Sequence, residues 1–253
     1  MDLQLAGLRA VVTGGTKGIG RAVVEQLAAE GAAVAFCART ESDVEKTVSE
    51  LTATGATVVG GAVDVADGPS LAAWVGDAAT ELGGLDIVVA SVSALAIGPE
   101  EEKWRSSFEV DMLHTVRVVD AAMPYLEKSE AASIVVVSSV SGREIDFAAP
   151  AYGSMKAALI HYAQGLAFHL AGKGIRANSV SPGNTYFPGG IWNQVKDGNP
   201  ELYSQALGLN PTGRMARPEE IAYAVTMLAS PRASFITGTN LVVDGALTRG
   251  VQL

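Results

Sequence analysis

Tyr152 and Lys156 stand four residues apart at the start of the stretch Tyr152–Leu170, whose pattern predicts a helix, so the two side chains share a face. A phenol ordinarily keeps its proton well above neutral pH, and an ammonium one turn away favours the ionised form. Such a pair is a general acid for a carbonyl oxygen receiving a hydride, or a base for the reverse reaction. Ser139 follows the apolar run Ser133–Ser138 and offers a hydroxyl able to hydrogen-bond the same oxygen and orient it. A lone Tyr-x-x-x-Lys arises too readily by chance to carry this reading. The rest of the chain has to supply a seat for the hydride carrier.

That seat is legible near the amino terminus. The run Thr13-Gly14-Gly15-Thr16-Lys17-Gly18-Ile19-Gly20 leads from a short apolar stretch straight into a helical pattern. Glycines at 14, 18 and 20 let the backbone approach a diphosphate, and the helix start behind them offers free N–H groups. The spacing is G-x-x-x-G-x-G, different from the G-x-G-x-x-G of the common dinucleotide fingerprint. Candidate cofactor contacts here are Gly14, Thr16, Lys17, Gly18, Ile19 and Gly20. NAD sites usually carry an acidic residue at the end of the second strand; this chain reads Cys37-Ala38-Arg39-Thr40 there. Arg39, with Lys17, suits a ribose 2′-phosphate, which predicts NADP(H).

The elements that must position these groups alternate along the chain. Strands are expected at Arg9–Thr13, Ala33–Ala38, Thr57–Val63, Asp86–Ala90, Ser133–Ser138, Arg176–Val180 and Asn240–Val243. Helical patterns fill Gly20–Ala29, Glu41–Thr54, Ser70–Leu82, Lys103–Leu126, Tyr152–Leu170 and Pro218–Leu228. The strands are near-continuously apolar, as in a parallel sheet covered on both faces. The expected architecture is therefore α/β: one doubly wound domain over residues 1–253, with seven parallel strands. Ser181–Thr212 shows no clear period, several prolines and glycines, and the aromatics Tyr186, Phe187 and Trp192. It reads as an irregular segment forming a substrate lid over about residues 184–212.

Composition narrows the function classes. The 253 residues are 48% hydrophobic and 18% charged, the balance of a core-rich globular chain. Lys plus Arg number 18 against 27 Asp plus Glu, giving −9, which argues against nucleic acid or an anionic membrane as partner. No stretch approaches the ~20 apolar residues of a membrane span. The opening Met1-Asp2-Leu3-Gln4 lacks a basic, then apolar, leader, so a cytoplasmic location is expected. The single cysteine, Cys37, lies in an apolar run and reads as a small buried hydrophobe. His114, His161 and His169 form no ligand-spaced pair; structural or surface roles are expected for them, and no metal.

Taken in order, Thr13-Gly14, Asp64-Val65, Ser138-Ser139, Tyr152-x-x-x-Lys156, Pro182-Gly183 and Val243-Asp244-Gly245 make the chain similar to the short-chain dehydrogenase/reductase family over nearly its whole length. The resemblance implies a Rossmann-like fold and an oxidoreductase interconverting a carbonyl and a secondary alcohol, of the 3-oxoacyl, steroid-like or polyketide ketone class. It implies that Ser139, Tyr152 and Lys156 are catalytic, with Lys156 also holding the nicotinamide ribose. Asp64 and Val65 would contact the adenine, Ala90 and Ser91 would lie beside the cofactor, and Pro182, Gly183 and Thr185 would meet the nicotinamide carboxamide. It further implies a homotetramer, in keeping with the Tyr152–Leu170 stretch being apolar on more than one stripe.

Three positions depart from the family pattern. Asn-Asn-Ala-Gly after the fourth strand is Ala90-Ser91-Val92-Ser93, and a threonine two positions after Thr185 is Phe187. The family's catalytic asparagine aligns with Asp111, which accepts hydrogen bonds but cannot donate as an amide does, and adds a negative charge near Lys156. These departures leave an alternative: a catalytically idle NADP(H)-binding or sensing protein on the same fold.

Overall fold

The computed structural model describes residues 2–250. Strands β1 (Arg9–Thr13), β2 (Ala33–Ala38), β3 (Val58–Ala62), β4 (Ile87–Ala90), β5 (Ser133–Val137), β6 (Arg176–Pro182) and β7 (Asn240–Val243) form one sheet in the order β3-β2-β1-β4-β5-β6-β7. Every pairing is parallel. Helices complete the crossovers: α1 (Gly18–Ala29), α2 (Glu41–Thr52), α3 (Gly68–Leu82), α4 (Glu101–Ser107), α5 (His114–Leu126), α6 (Ala151–Leu170), α7 (Ile191–Gly198), α8 (Pro200–Leu209) and α9 (Pro218–Ala229).

The period-2 pleat splits each strand between two cores. Val12, Phe36, Val89 and Val135 pack with Val23 and Leu27 of α1, Val44 and Leu51 of α2, and Ile221 and Val225 of α9. Their neighbours Val11, Ala35, Val88 and Ile134 face Leu71 and Val75 of α3, Val118 of α5 and Leu159 of α6. Two buried faces explain why the strands read as unbroken apolar runs. Both sequence-based expectations for the fold, the doubly wound α/β class and the seven parallel strands, hold.

Two segments differ from the sequence reading. The expected Lys103–Leu126 helix is three pieces, because Phe108–Leu113 forms a turn of π-helix between α4 and α5. Apolar periodicity runs through that turn unbroken, so composition gave no sign of it. The segment expected to be irregular, Ser181–Thr212, contains α7 and α8, and β6 itself runs on to Pro182. Its punctuation marks helix starts: Pro200 occupies the first turn of α8, and the Asn199 side chain caps it by accepting from Leu202 N–H at 3.1 Å.

Candidate active site

All strands run the same way, so the segments leaving their carboxyl ends collect at one edge. There lie the Gly14–Gly20 turn after β1, Arg39 after β2, Asp64 and Val65 after β3, Ser91 after β4 and Ser139 after β5. Ala90 ends β4, Pro182 ends β6, and Gly183 and Thr185 follow it. The strand order reverses between β1 and β4, which opens a crevice at this edge.

The glycine turn is fixed by Gly14 and Gly15 N–H groups, both donating to the Cys37 carbonyl at 2.9 and 3.1 Å. Gly18 adopts φ +56°, and a Cβ on Gly20 would collide with the Gly14 carbonyl oxygen. Ile19 turns its side chain onto the sheet core, leaving its main chain to the turn. The amino end of α1 carries no side-chain cap and no acid in its first turn. Its N–H groups and positive dipole end are therefore left for an anion, and the cradle fits the diphosphate of a dinucleotide. Thr16 is half-buried in the turn. The β1–β2 register sets Thr13 opposite Cys37, so Arg39 leaves the sheet at the same edge as the turn that carries Lys17. Both cations are exposed, and neither forms an ion pair among the described residues. Asp64 is exposed, whereas the Val65 side chain is buried in the sheet core.

Tyr152 and Lys156 lie in the first two turns of α6, with the Lys156 Nζ 5.5 Å from the Tyr152 ring centroid. The ammonium is buried, donates to the Val137 carbonyl at 3.2 Å and sits 3.1 Å from Asp111 Oδ1. That carboxylate oxygen has no aligned hydrogen bond, so the contact is an ion pair. Burial alone would drive Lys156 toward its neutral form, but the charges of Asp111 and then Tyr152 outweigh it and hold its pKa above 10.5. Ser139 is buried, and its Oγ accepts from Ser141 N–H at 3.2 Å. Ser141 in turn donates to Asp146 Oδ2 at 2.6 Å. Two glycines let this loop reach α6. A Cβ on Gly142 would come within 2.6 Å of the Lys156 backbone, and one on Gly153 within 2.7 Å of the Ser141 carbonyl. Ser138 Oγ donates to the Lys156 carbonyl at 2.7 Å and completes the joint. A phenol, a buried ammonium and a serine hydroxyl brought to one edge can exchange a proton with an alcohol or carbonyl oxygen.

Sequence reasoning assigned His114 no part in this arrangement. It is fully buried, and burial pushes its pKa down to about 4, so it is neutral. Nδ1–H donates to the Val110 carbonyl at 3.0 Å, which leaves Nε2 to accept from Thr13 Oγ1 at 2.9 Å. Thr13 Oγ1 accepts from Ser91 N–H at 3.0 Å, and Asp111 Oδ2 accepts from Ala94 N–H at 3.2 Å. The segment after β4 is thus held by its backbone, with no need for the missing asparagine side chains. Cys37 is buried in the sheet, where desolvation pushes its thiol up to about 12.

Beyond β6, Gly183 packs against Asp244, and Thr185 Oγ1 donates to the Gly183 carbonyl at 3.0 Å. The Trp192 ring, buried at the start of α7, meets Phe147 edge-to-face with centroids 5.7 Å apart.

Residues 14–248 match the family model described as enoyl-(acyl carrier protein) reductase. The chain is 42% identical to isoepoxydon dehydrogenase of Penicillium expansum, over 98% of this chain and 97% of that one. It is 32% identical to the 3-oxoacyl-[acyl-carrier-protein] reductase of Vibrio cholerae, over 97% and 99% of the two chains. The solved structure of L-sorbose reductase from Gluconobacter frateurii, complexed with NADPH and L-sorbose, superposes with a TM-score of 0.91 at 28% identity, covering 99% and 100% of the two chains.

Proposed function

The chain belongs to the short-chain dehydrogenase/reductase family, and on that premise we propose that it is an NADP(H)-dependent oxidoreductase interconverting a ketone and a secondary alcohol. The observation that carries the chemistry is the buried Lys156 ammonium beside Tyr152. When bound, the nicotinamide supplies or takes up the hydride. Tyr152 gives its phenolic proton to the carbonyl oxygen in reduction and takes it back in oxidation. Lys156 stabilises the phenolate by its charge, and Ser139 orients the same oxygen by hydrogen bond. Asp111 keeps Lys156 charged. Gly14, Thr16, Gly18, Ile19 and Gly20 would hold the diphosphate, Asp64 and Val65 the adenine, and Ala90, Ser91, Pro182, Gly183 and Thr185 the nicotinamide side. NADP(H) rather than NAD(H) is supported by exposed Arg39 and Lys17 and by Cys37-Ala38-Arg39-Thr40, with no acid, at the end of β2.

The substrate in this reading is a 3-oxoacyl, steroid-like or polyketide ketone, packed against Phe147 and Trp192. The L-sorbose reductase crystallised with NADPH and the isoepoxydon dehydrogenase make their named compounds the first to try. The reading includes a cytoplasmic homotetramer. It is supported by the exposed rings of Phe168 near the end of α6 and Phe235, and by a single, buried cysteine. Among the described residues, no helix is long and apolar enough to cross a membrane.

The test is steady-state turnover on a panel of ketones and alcohols with both nicotinamide cofactors, run beside Tyr152→Phe. Tyr152→Phe should lose about 10²-fold or more in turnover while binding NADPH normally. Turnover that survives this change would refute the proton assignment, and a wild type that binds NADPH yet turns over nothing would leave the idle binding protein.

A further inference from the structure

The segment between β6 and α9 has its own small core. Trp192, Ala206 and Met215 are buried, with half-buried Tyr186, Val195, Tyr203 and Leu207 packed against them, apart from the two cores of the sheet. A two-bond backbone ladder ties the two ends of the segment together: Tyr186 N–H to the Ala216 carbonyl at 2.9 Å and Ala216 N–H to the Asn184 carbonyl at 2.8 Å. The next residue, Phe187, reaches back to the glycine turn. Its ring lies 2.6–3.0 Å from where a Cβ on Gly18 would stand, and 2.8–3.0 Å from where one on Gly190 would stand. The ring is therefore clasped between the first residue of α1 and the residue that precedes α7.

Local geometry fixes the backbone that carries the ring. In Phe187-Pro188-Gly189-Gly190, Gly190 N–H donates to the Phe187 carbonyl at 3.1 Å, and Gly189 has φ +76°. Proline second and a positive-φ glycine third make a tight turn that ties the ring to the start of α7. Gly189 N–H also donates to Asn193 Oδ1 at 2.8 Å, which fastens the turn to the helix. The ring cannot leave Gly18 without its turn or its rotamer changing.

We infer that Phe187 is a gating residue for the cofactor: its ring stands at the amino end of α1, where the diphosphate is held, and has to move for the dinucleotide to bind or leave. The inference rests on the glycine turn being the cofactor's seat but not on which nicotinamide cofactor sits there, because the diphosphate is common to both.

Stopped-flow fluorescence tests it, by chasing bound NADPH with excess NADP⁺ and bound NADH with excess NAD⁺. Phe187→Ala should raise the release rate by about fivefold, the scale of one aromatic contact. Gly190→Ala keeps the phenylalanine in the chain and has no positive φ to oppose it, but its Cβ would displace the ring, so it should speed release similarly. The double variant should be no faster than either single one, and Phe187→Leu, which keeps apolar bulk, should fall between. The factor should be the same for NADPH and NADH. Unchanged release in Phe187→Ala and Gly190→Ala, or an effect confined to one cofactor, would overturn the gate while leaving the seat intact. A wild type that binds neither dinucleotide would overturn the seat and the gate together.

Discussion

Lys156 Nζ lies 3.1 Å from Asp111 Oδ1, with 3% and 0% of the two side chains exposed. The carboxylate comes from the π-helical turn Phe108–Leu113 and the ammonium from α6, so the pair joins two elements as well as two charges. Where the family pattern has a neutral amide, this chain has a direct counter-ion for its lysine.

Removing the counter-ion should be costly. Asp111→Ala leaves a buried ammonium with the Val137 carbonyl and should lose about 3 kcal/mol or more of stability in urea unfolding. Asp111→Asn should lose less, because an amide oxygen still accepts. The folded-state pKa of Lys156 is raised, so this stabilisation is complete below pH 10.5 and disappears as pH climbs through the higher folded value. The gap between wild type and Asp111→Ala should be widest at neutral pH and narrow as pH rises, because without the carboxylate burial lowers the Lys156 pKa and the variant sheds its buried charge sooner. Equal stability of the two proteins at pH 7 would refute the pair's importance.

His114 sets an acid limit. Its folded pKa is depressed from 6.5 to about 4, so unfolding takes up a proton that the native state refuses. Stability is complete above 6.5 and falls as pH drops toward 4, by roughly 3 kcal/mol in all. His114→Gln, with one donor and one acceptor for Val110 and Thr13, should show a shallower loss between pH 7 and 4.5. Parallel acid-unfolding curves for the two proteins would contradict the assignment.

Cofactor choice should follow Arg39. Arg39→Asp replaces an attractive charge with a repulsive one and should raise the Kd for NADPH by about tenfold or more, with little change for NADH. Equal affinity of the wild-type protein for both cofactors would remove the basis of the preference.

The loop after β5 has no room for a side chain at its joint with α6. Gly153→Ala sets a Cβ against the Ser141 carbonyl, and overpacking of this kind costs about 1–3 kcal/mol. Because Ser139 precedes that joint, turnover should fall about tenfold or more while dinucleotide affinity, set at the β1 turn, is kept. A variant as active as the wild type would show that the loop yields without disturbing Ser139.

Local periodicity and local spacing were enough for much of this. Short, near-continuously apolar runs alternating with helical patterns predict seven parallel strands, and parallel strands must place every carboxyl-end loop at one edge. Hence the sequence alone points Gly14–Gly20, Arg39, Ser139, Tyr152 and Lys156 to one edge of the sheet. Pro200 was legible too, but as one of the breakers of an irregular segment rather than as the first residue of α8. What only the tertiary structure decided are contacts between distant segments that leave no local period. The π turn that aims Asp111 at Lys156 lies inside an unbroken apolar pattern. His114 meets Thr13 across 101 residues of sequence, and Phe187 meets Gly18 across a span longer still. Hydrogen bonding and ion pairing depend on ångström distances set by packing, and those distances are a property of the whole sheet and its layers.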